Sequence, residues 1–173
     1  DTNRIVRPFE WGLSFIREHV NGDDPRLLFL QHTRDVMGRS EEFYALAPVT
    51  DYKLEGEQLS WTSAVSTPSV ENNTVRARFF PALKKDGSNR KRPAVVILPQ
   101  WNAQRESHVD LCRVLNRLGI AALRLTLPYH EARRPPELER ADYLVSSNVG
   151  RTIQSVRQAV LDARAAVNWL VEH

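Results

Sequence analysis

Hydrophobic and polar positions follow a regular order in residues 93–128. Residues 94–98 read Ala-Val-Val-Ile-Leu, an unbroken apolar run that predicts a parallel strand covered by helices on both faces. After the polar residues 100–105, four apolar side chains recur at helical spacing, and Ser107 and Asp110 have the spacing of a capping box: Val109, Cys112, Leu115 and Leu118. Gly119 suits the left-handed end of that helix. A second apolar run, 121–127, then predicts a parallel neighbour of the first strand, reached by a right-handed crossover.

The segments on either side of this unit extend the prediction. Residues 59–65 and 75–79 alternate with period two and are joined by the polar residues 68–74, which predicts two antiparallel strands. Residues 128–144 predict an irregular loop, because Pro135 and Pro136 prevent a continuous helix. In residues 148–172 the apolar positions are separated by alternating steps of four and three: Val149, Ile153, Val156, Val160, Ala163, Val167 and Leu170. This pattern predicts a long amphipathic helix whose apolar stripe covers a sheet.

The first fifty residues favour short helices. Asp24 before Pro25 is a helix start signal, and Ser40 before Glu41 is another. We therefore predict a helical N-terminal extension in residues 1–50 and an α/β domain in residues 51–173. Residues 84–92 form a basic, polar run containing a turn signal at 86–87, and we interpret it as a solvated connection, with a phosphate-binding patch as the alternative.

Composition narrows the class of protein. The 173 residues are 42% hydrophobic, enough for a sizeable core, and the net charge of +3 is too small and scattered to predict nucleic-acid binding. Cys112 is the single cysteine; it excludes an internal disulfide, and its place on the apolar stripe favours a buried hydrophobe over a nucleophile. We expect no membrane span, because no apolar run approaches about 20 residues, and the first residues are not a signal peptide. The compartment stays open, with the cytoplasm favoured.

The order of these elements resembles the first half of an α/β-hydrolase: antiparallel strands, then strand, polar loop, helix, strand, irregular loop and long helix. The resemblance covers roughly residues 59–173. In that family another strand and the nucleophile elbow Gly-x-Ser-x-Gly follow, and this sequence contains no such motif. The resemblance therefore implies that the serine, its acid and its histidine lie downstream, and that the chain alone is inactive. It also implies an esterase-like or peptidase-like parent enzyme that acts on a small ester or amide, with the remainder of the hydrolase domain as partner.

The same resemblance indicates where the oxyanion hole would be. Residues 97–102 and 127–133 occupy the positions of the family's His-Gly oxyanion turn and its Pro-Gly-His-Gly-like turn. Here Pro-Gln replaces His-Gly, and Tyr129 replaces the glycine before His130. By position on the turn, the backbone amide of Trp101 is the first candidate donor to an oxyanion, and that of Asn102 the second. Alternatively, Trp101 is an aromatic plug beneath the loop, which is compatible with a donor role for its amide.

Other polar side chains follow the second parallel strand, where ligands bind in such sheets. His130 and Glu131 could contact a substrate or anchor the loop, and we favour anchoring, because one His-Glu pair without a third ligand does not predict a metal site. Arg133, with Arg134, could attract an anionic substrate or lie in a solvated loop. No glycine-rich phosphate loop follows the first strand, so we predict no nucleotide cofactor. The alternatives to a hydrolase are a non-catalytic α/β binding or interaction module and a flavodoxin-like cofactor binder.

Overall fold

The fold is a mixed five-stranded open sheet flanked by helices, in a computed structural model that describes residues 6–16, 24–83 and 92–173. The strands are β1 (Lys53–Glu55), β2 (Gln58–Thr62), β3 (Thr74–Phe80), β4 (Ala94–Ile97) and β5 (Ala121–Leu125). Their order in the sheet is β1-β2-β3-β5-β4. Strands β1, β2, β3 and β5 pair antiparallel in succession, and β4 pairs parallel with β5. The predicted α/β class and the parallel pair are therefore confirmed at this level.

The helices are α1 (Pro25–Gly38), α2 (Ser40–Phe43), α3 (Val109–Arg117) and α4 (Val149–Glu172), with 3₁₀ turns at Leu13–Phe15, Val70–Asn73 and Glu131–Arg133. Asp24 caps α1 as its start signal predicts, because its carboxylate accepts the Arg26 amide at 2.9 Å. The prediction of a capping box at α3 was wrong. No side chain caps α3, and the Ser107 hydroxyl instead accepts the Gln104 amide at 3.1 Å within the preceding loop.

The two long helices cover opposite faces of the sheet. Helix α3 packs its buried Val109 and Cys112 against Phe80 and Ala122. Helix α4 packs against the other face, where the main core lies: Leu59, Trp61, Val75, Ala77, Leu123, Leu125, Ala165, Ala166 and Trp169. Neighbouring residues of β5 alternate between the two clusters because successive side chains of a strand point to opposite faces.

Strand β4 departs from the expectation of full burial. It lies at the edge of the described sheet, because β5 returns between β3 and β4. Among the described residues β4 has a neighbouring strand on one side only. Val95 is 36% exposed, and Leu98, just beyond the strand, is 52% exposed. The structure also has a third antiparallel strand, β1, which sequence reasoning missed because all three of its residues are exposed and show no apolar alternation.

The N-terminal segment packs against the α/β part of the molecule. Glu10 forms a parallel bridge with Asn148, the N-cap residue of α4. A Cβ on Gly150 would lie 2.0 Å from the carbonyl oxygen of Gly12, so glycine at 150 permits this close backbone approach. The loop predicted at 84–92 falls almost entirely outside the described residues. Within the described ranges, no helix is long and apolar enough to cross a membrane.

Candidate functional site

The loops after β4 and β5 are joined by a buried histidine. The Asn102 backbone amide donates to Nε2 of His130 at 2.9 Å, and Nδ1 of His130 lies 2.9 Å from the Pro128 carbonyl oxygen. Because Nε2 accepts a proton donor, Nδ1 carries the hydrogen and donates it to Pro128. Burial lowers the pKa of His130, which favours this neutral ring. In this geometry His130 anchors the two loops to each other.

Trp101 lies next to Asn102 on the loop after β4, and both residues contact Ala141. Its indole Nε1 donates to the Ala141 carbonyl at 3.0 Å, and the Asn102 side-chain oxygen accepts the Ala141 amide at 2.9 Å. Trp101 is 46% exposed and therefore lies at the surface, with the Arg140 guanidinium 5.6 Å from its ring centroid. Among the described residues, the Trp101 backbone amide has no hydrogen-bond partner. That amide therefore remains free to bind another group.

Four non-glycine residues with left-handed backbone lie in these two loops. They are Asn102 (φ 59°), His108 (φ 68°), Tyr129 (φ 61°) and Glu131 (φ 51°). Such conformations cost about 1–3 kcal/mol each and persist only where the surroundings hold them. Asparagine tolerates this region, but a buried tyrosine does not adopt it readily. The strain concentrates at the carboxyl ends of the parallel strands, which is where ligand sites occur in such sheets.

Arg124 and Glu131 connect β5 to both loops. Arg124 is 1% exposed, and its Nη2 donates to Glu131 at 2.7 Å and to the Gln104 carbonyl at 2.9 Å. Its Nε donates to the Ser107 carbonyl at 2.6 Å. Through this ion pair, Glu131 fastens the loop after β5 to Arg124 of β5. The arginine ties the loop before α3 to the loop after β5.

Arg133 belongs to a fully buried polar network on the opposite face of the sheet. Its guanidinium donates to the carbonyls of Asn72 at 2.8 Å and Thr126 at 2.9 Å, and to Asp162 of α4 at 2.9 Å. Ser63 donates to the other Asp162 oxygen at 2.8 Å. Arg133 is 0% exposed and Asp162 is 1% exposed. Burial raises the pKa of Asp162, although the Arg133 charge opposes that rise. Arg133 thus holds the loop to α4 and does not line the cleft on the other face of the sheet.

A cleft of about 650 Å³ opens beside the His130 anchor, on the face of the sheet that carries α3. Its walls come from β3, the end of β5 and both loops. Its polar lining residues include Arg76, Arg78, Asn102, Arg105, Arg124, Thr126, Glu131 and Arg134. A volume of this size falls within the range of small-molecule sites. The cleft is therefore the candidate functional site.

Sequence reasoning identified the loop residues but missed their partners. Arg124 was visible as a charge inside the apolar run 121–127, which in a buried strand demands a carboxylate or several carbonyl acceptors. Asp162 likewise interrupts the core-facing side of α4. Asn72 carried no signal, because its role depends on a turn that brings it to Tyr129, whose amide it accepts at 3.0 Å.

Metal and thiol chemistry find little support in the described part of the chain. No group of three or more histidine, cysteine, aspartate or glutamate side chains there is arranged to hold a metal ion. Cys112 lies on the buried, sheet-facing side of α3, and burial raises the pKa of its thiol. A raised pKa disfavours the thiolate that a cysteine nucleophile needs.

Comparisons with known proteins do not assign a family. No protein-family model matches the chain, and no curated protein matches it in sequence.

Proposed function

We propose that this chain forms the amino-terminal part of a serine α/β-hydrolase domain, whose natural protein hydrolyses an ester or amide of a small molecule. The observation that carries the proposal is the placement of α3 and α4 on opposite faces of the sheet. Nearly all strand-helix-strand crossovers are right-handed. Two such crossovers with helices on opposite faces move along the sheet in opposite directions. The crossover through α3 runs from β4 to β5, which lies between β4 and β3 in the sheet. A right-handed crossover through α4 therefore runs from β5 in the opposite direction, past β4, and the strand that follows α4 would pair with the free edge of β4.

The free edge of β4 is consistent with this continuation. An apolar groove of about 540 Å³ lies between the end of β4, the loop after β5 and the outer side of α4. Its walls are almost entirely aliphatic: Leu98, Leu127, Leu144, Val145, Val156, Ala159, Val160, Ala163 and Val167. A further parallel strand at β4, with its helix, would cover this groove. The end of that strand would then lie next to the loop of Trp101, where the family has its nucleophile elbow.

Two features of the loops also support the hydrolase proposal. The amide of Trp101 is free of hydrogen bonds among the described residues, as a donor to a developing oxyanion must be. Tyr129 has φ 61° at the position where the resembling turn has glycine. The chain thus keeps a left-handed backbone there although the residue differs.

One contact favours the alternative, a non-catalytic binding or interaction module. The Asn102 amide, the second oxyanion candidate, already donates to His130. If both donors are needed for catalysis, this bond competes with the oxyanion. The hydrolase proposal therefore depends on the Trp101 amide as the donor from this loop.

The test treats the natural protein that contains this chain with a fluorophosphonate probe and locates the labelled serine by mass spectrometry. We expect one labelled serine, outside residues 1–173, and no specific labelling of the 173-residue chain alone. Absence of any labelled serine in an active preparation, or specific labelling within residues 1–173, would refute the proposal.

A pair of variants then tests the Trp101 amide. Trp101→Phe keeps the backbone amide and loses the indole bond to Ala141, whereas Trp101→Pro loses both. Removal of one oxyanion donor lowers kcat by about 10²–10³-fold. We expect that loss for Trp101→Pro relative to Trp101→Phe in ester hydrolysis. Equal activity of the two folded variants would exclude this amide as an oxyanion donor.

A further inference from the structure

Most of the charged residues that line the cleft beside the His130 anchor are arginines. Six arginines line it, against two glutamates: Arg76, Arg78, Arg105, Arg124, Arg134 and Arg140 with Glu131 and Glu139. Arg124 is paired with Glu131, Arg78 with Glu57 and Glu106, and Arg140 with Asp142. Among the described residues, Arg76, Arg105 and Arg134 have no ion-pair partner. The cleft therefore holds more uncompensated positive than negative charge.

Arg124 gives the cleft a rigid donor at its base. Its Nε and Nη2 donate to three oxygens, those of the Ser107 and Gln104 carbonyls and of the Glu131 carboxylate, and the residue is 1% exposed. Its remaining nitrogen, Nη1, has no hydrogen-bond partner among the described residues. An arginine held in this way has already lost its side-chain freedom, so little further entropy is lost when Nη1 binds a ligand.

The strands place a second arginine near the first. In the β3–β5 pairing, Arg78 lies opposite Arg124, so Arg76 lies opposite the residue that follows β5, Thr126. Alternate residues of a strand share a face, which puts Arg76, Arg78 and Arg124 on the cleft side. Guanidinium groups converging on one cavity suit a planar or tetrahedral oxyanion better than a neutral group.

We propose that this cleft binds a small molecule through an anionic group, a carboxylate or a phosphate, with Arg124 at its base and Arg76 and Arg105 supplying charge at its mouth. The inference deepens the proposed function and rests on it for one point, that the bound molecule is the substrate. The anionic group would then be held beside the loop of Trp101, which borders the reacting acyl group in that proposal.

Binding is measured by calorimetry on the natural protein, separately from hydrolysis, so that the two proposals fail independently. The probes are inorganic phosphate and glutarate, titrated at a constant ionic strength of about 0.15 M to screen long-range charge effects. We expect saturable binding of one of them. Stronger binding of phosphate indicates a phosphate ester as ligand, and stronger binding of glutarate indicates a carboxylate.

Three charge-matched variants locate the site. Arg76→Gln and Arg105→Gln change exposed side chains, so the fold is expected to persist, and each should weaken binding about tenfold, as for loss of one charged hydrogen bond. Arg113→Gln removes the same charge from the outer side of α3 and should leave binding unchanged. Lack of saturable binding of both anions, or equal weakening by all three variants, would overturn the proposal.

Discussion

The buried Arg133–Asp162 pair should be among the most sensitive points of the fold to a small change. The change to make is Asp162→Asn, which keeps the shape and one acceptor oxygen but removes the negative charge. Arg133 is 0% exposed, so its guanidinium would be left in the core with only two carbonyl partners, Asn72 and Thr126. Loss of one partner from a buried ion pair costs about 3–5 kcal/mol. Because asparagine can still accept one hydrogen bond, we expect about 3 kcal/mol.

That cost is large compared with the total stability of a domain, which is about 5–15 kcal/mol. For a domain of this size, 1 kcal/mol shifts Tm by about 2–4 °C, so the expected fall is about 6–12 °C. Urea unfolding followed by circular dichroism measures the free energy directly, and the m-value should be unchanged if the folded state stays compact. The matched control is Asp110→Asn, which breaks the exposed pair with Arg113 and should cost less than about 1 kcal/mol.

A double-mutant cycle tests the reasoning further. Arg133→Met alone removes the charge that Asp162 neutralises, and the double variant leaves no unpaired charge. The double variant should therefore be more stable than the sum of the single costs predicts, by about 1–3 kcal/mol. A cost below about 1 kcal/mol for Asp162→Asn, or additive costs in the cycle, would show that the pair does not matter as argued.

Three further outcomes are expected. Burial lowers the pKa of His130, so below about pH 6.5 the unfolded chain binds more protons than the folded one and stability falls as the pH falls. The decrease in Tm between about pH 7.5 and pH 5.5 should therefore be smaller in His130→Asn, and should be unchanged in the control variant His173→Asn. Asn102→Gly should be about 1 kcal/mol more stable to urea than Asn102→Ala, because alanine resists φ 59°; equal stability would contradict the strain. Val156→Lys places a charge in the exposed aliphatic groove and should reduce self-association of the isolated chain by light scattering, whereas Val171→Lys, outside the groove, should not; the hydrolase proposal adds that Val156→Lys destabilises the natural protein, because that proposal has a further strand and helix covering the groove.

The parallel unit could be predicted from local pattern alone. Each of its parts carries a signal that survives in the fold: an apolar run at β4, helical spacing in α3, and a glycine at 119 with φ 80°. The antiparallel pair β2–β3 was predictable for the same reason, because burial imposes a period on the sequence. Helix α4 was predictable as a helix, but the expectation that its apolar stripe covers the sheet was wrong in part: Val156, Val160 and Val167 are 44%, 37% and 48% exposed, and the face that packs on the sheet carries Ala165, Ala166 and Trp169. Strand β1 was not predictable, because its residues are exposed and its pairing depends on the hairpin with β2.

The position of β4 in the sheet could not be read from its composition. An apolar run indicates burial of a strand, but it does not say which element covers it. In the described structure β4 is an edge strand with an exposed aliphatic groove beside it. The run is consistent with a buried central strand only if another element lies against that edge, which is the premise of the hydrolase proposal.

The sequence predicted which loops form the candidate site, but not the contacts that hold those loops in place. The carboxyl ends of two parallel strands indicated residues 99–105 and 128–136 as its location. The network that fixes these loops joins Ser63, Asn72 and Asp162, which are far apart in sequence and have no local pattern in common. Long-range hydrogen bonds of this kind depend on the tertiary arrangement that they stabilise.

The polar network also explains how the strained turn at Tyr129 persists. A left-handed tyrosine would relax if its loop were free. Here the Tyr129 amide is bound by Asn72, the ring packs edge-on against Tyr143, and the loop beyond it is held by Arg133 and Asp162. The free energy of those contacts offsets the strain and keeps the adjacent His130 aligned with Asn102. Weakening the network should therefore loosen the cleft's loops under conditions where the sheet is still folded, because the buried Tyr129 belongs to neither of the two apolar clusters that hold the sheet to α3 and α4.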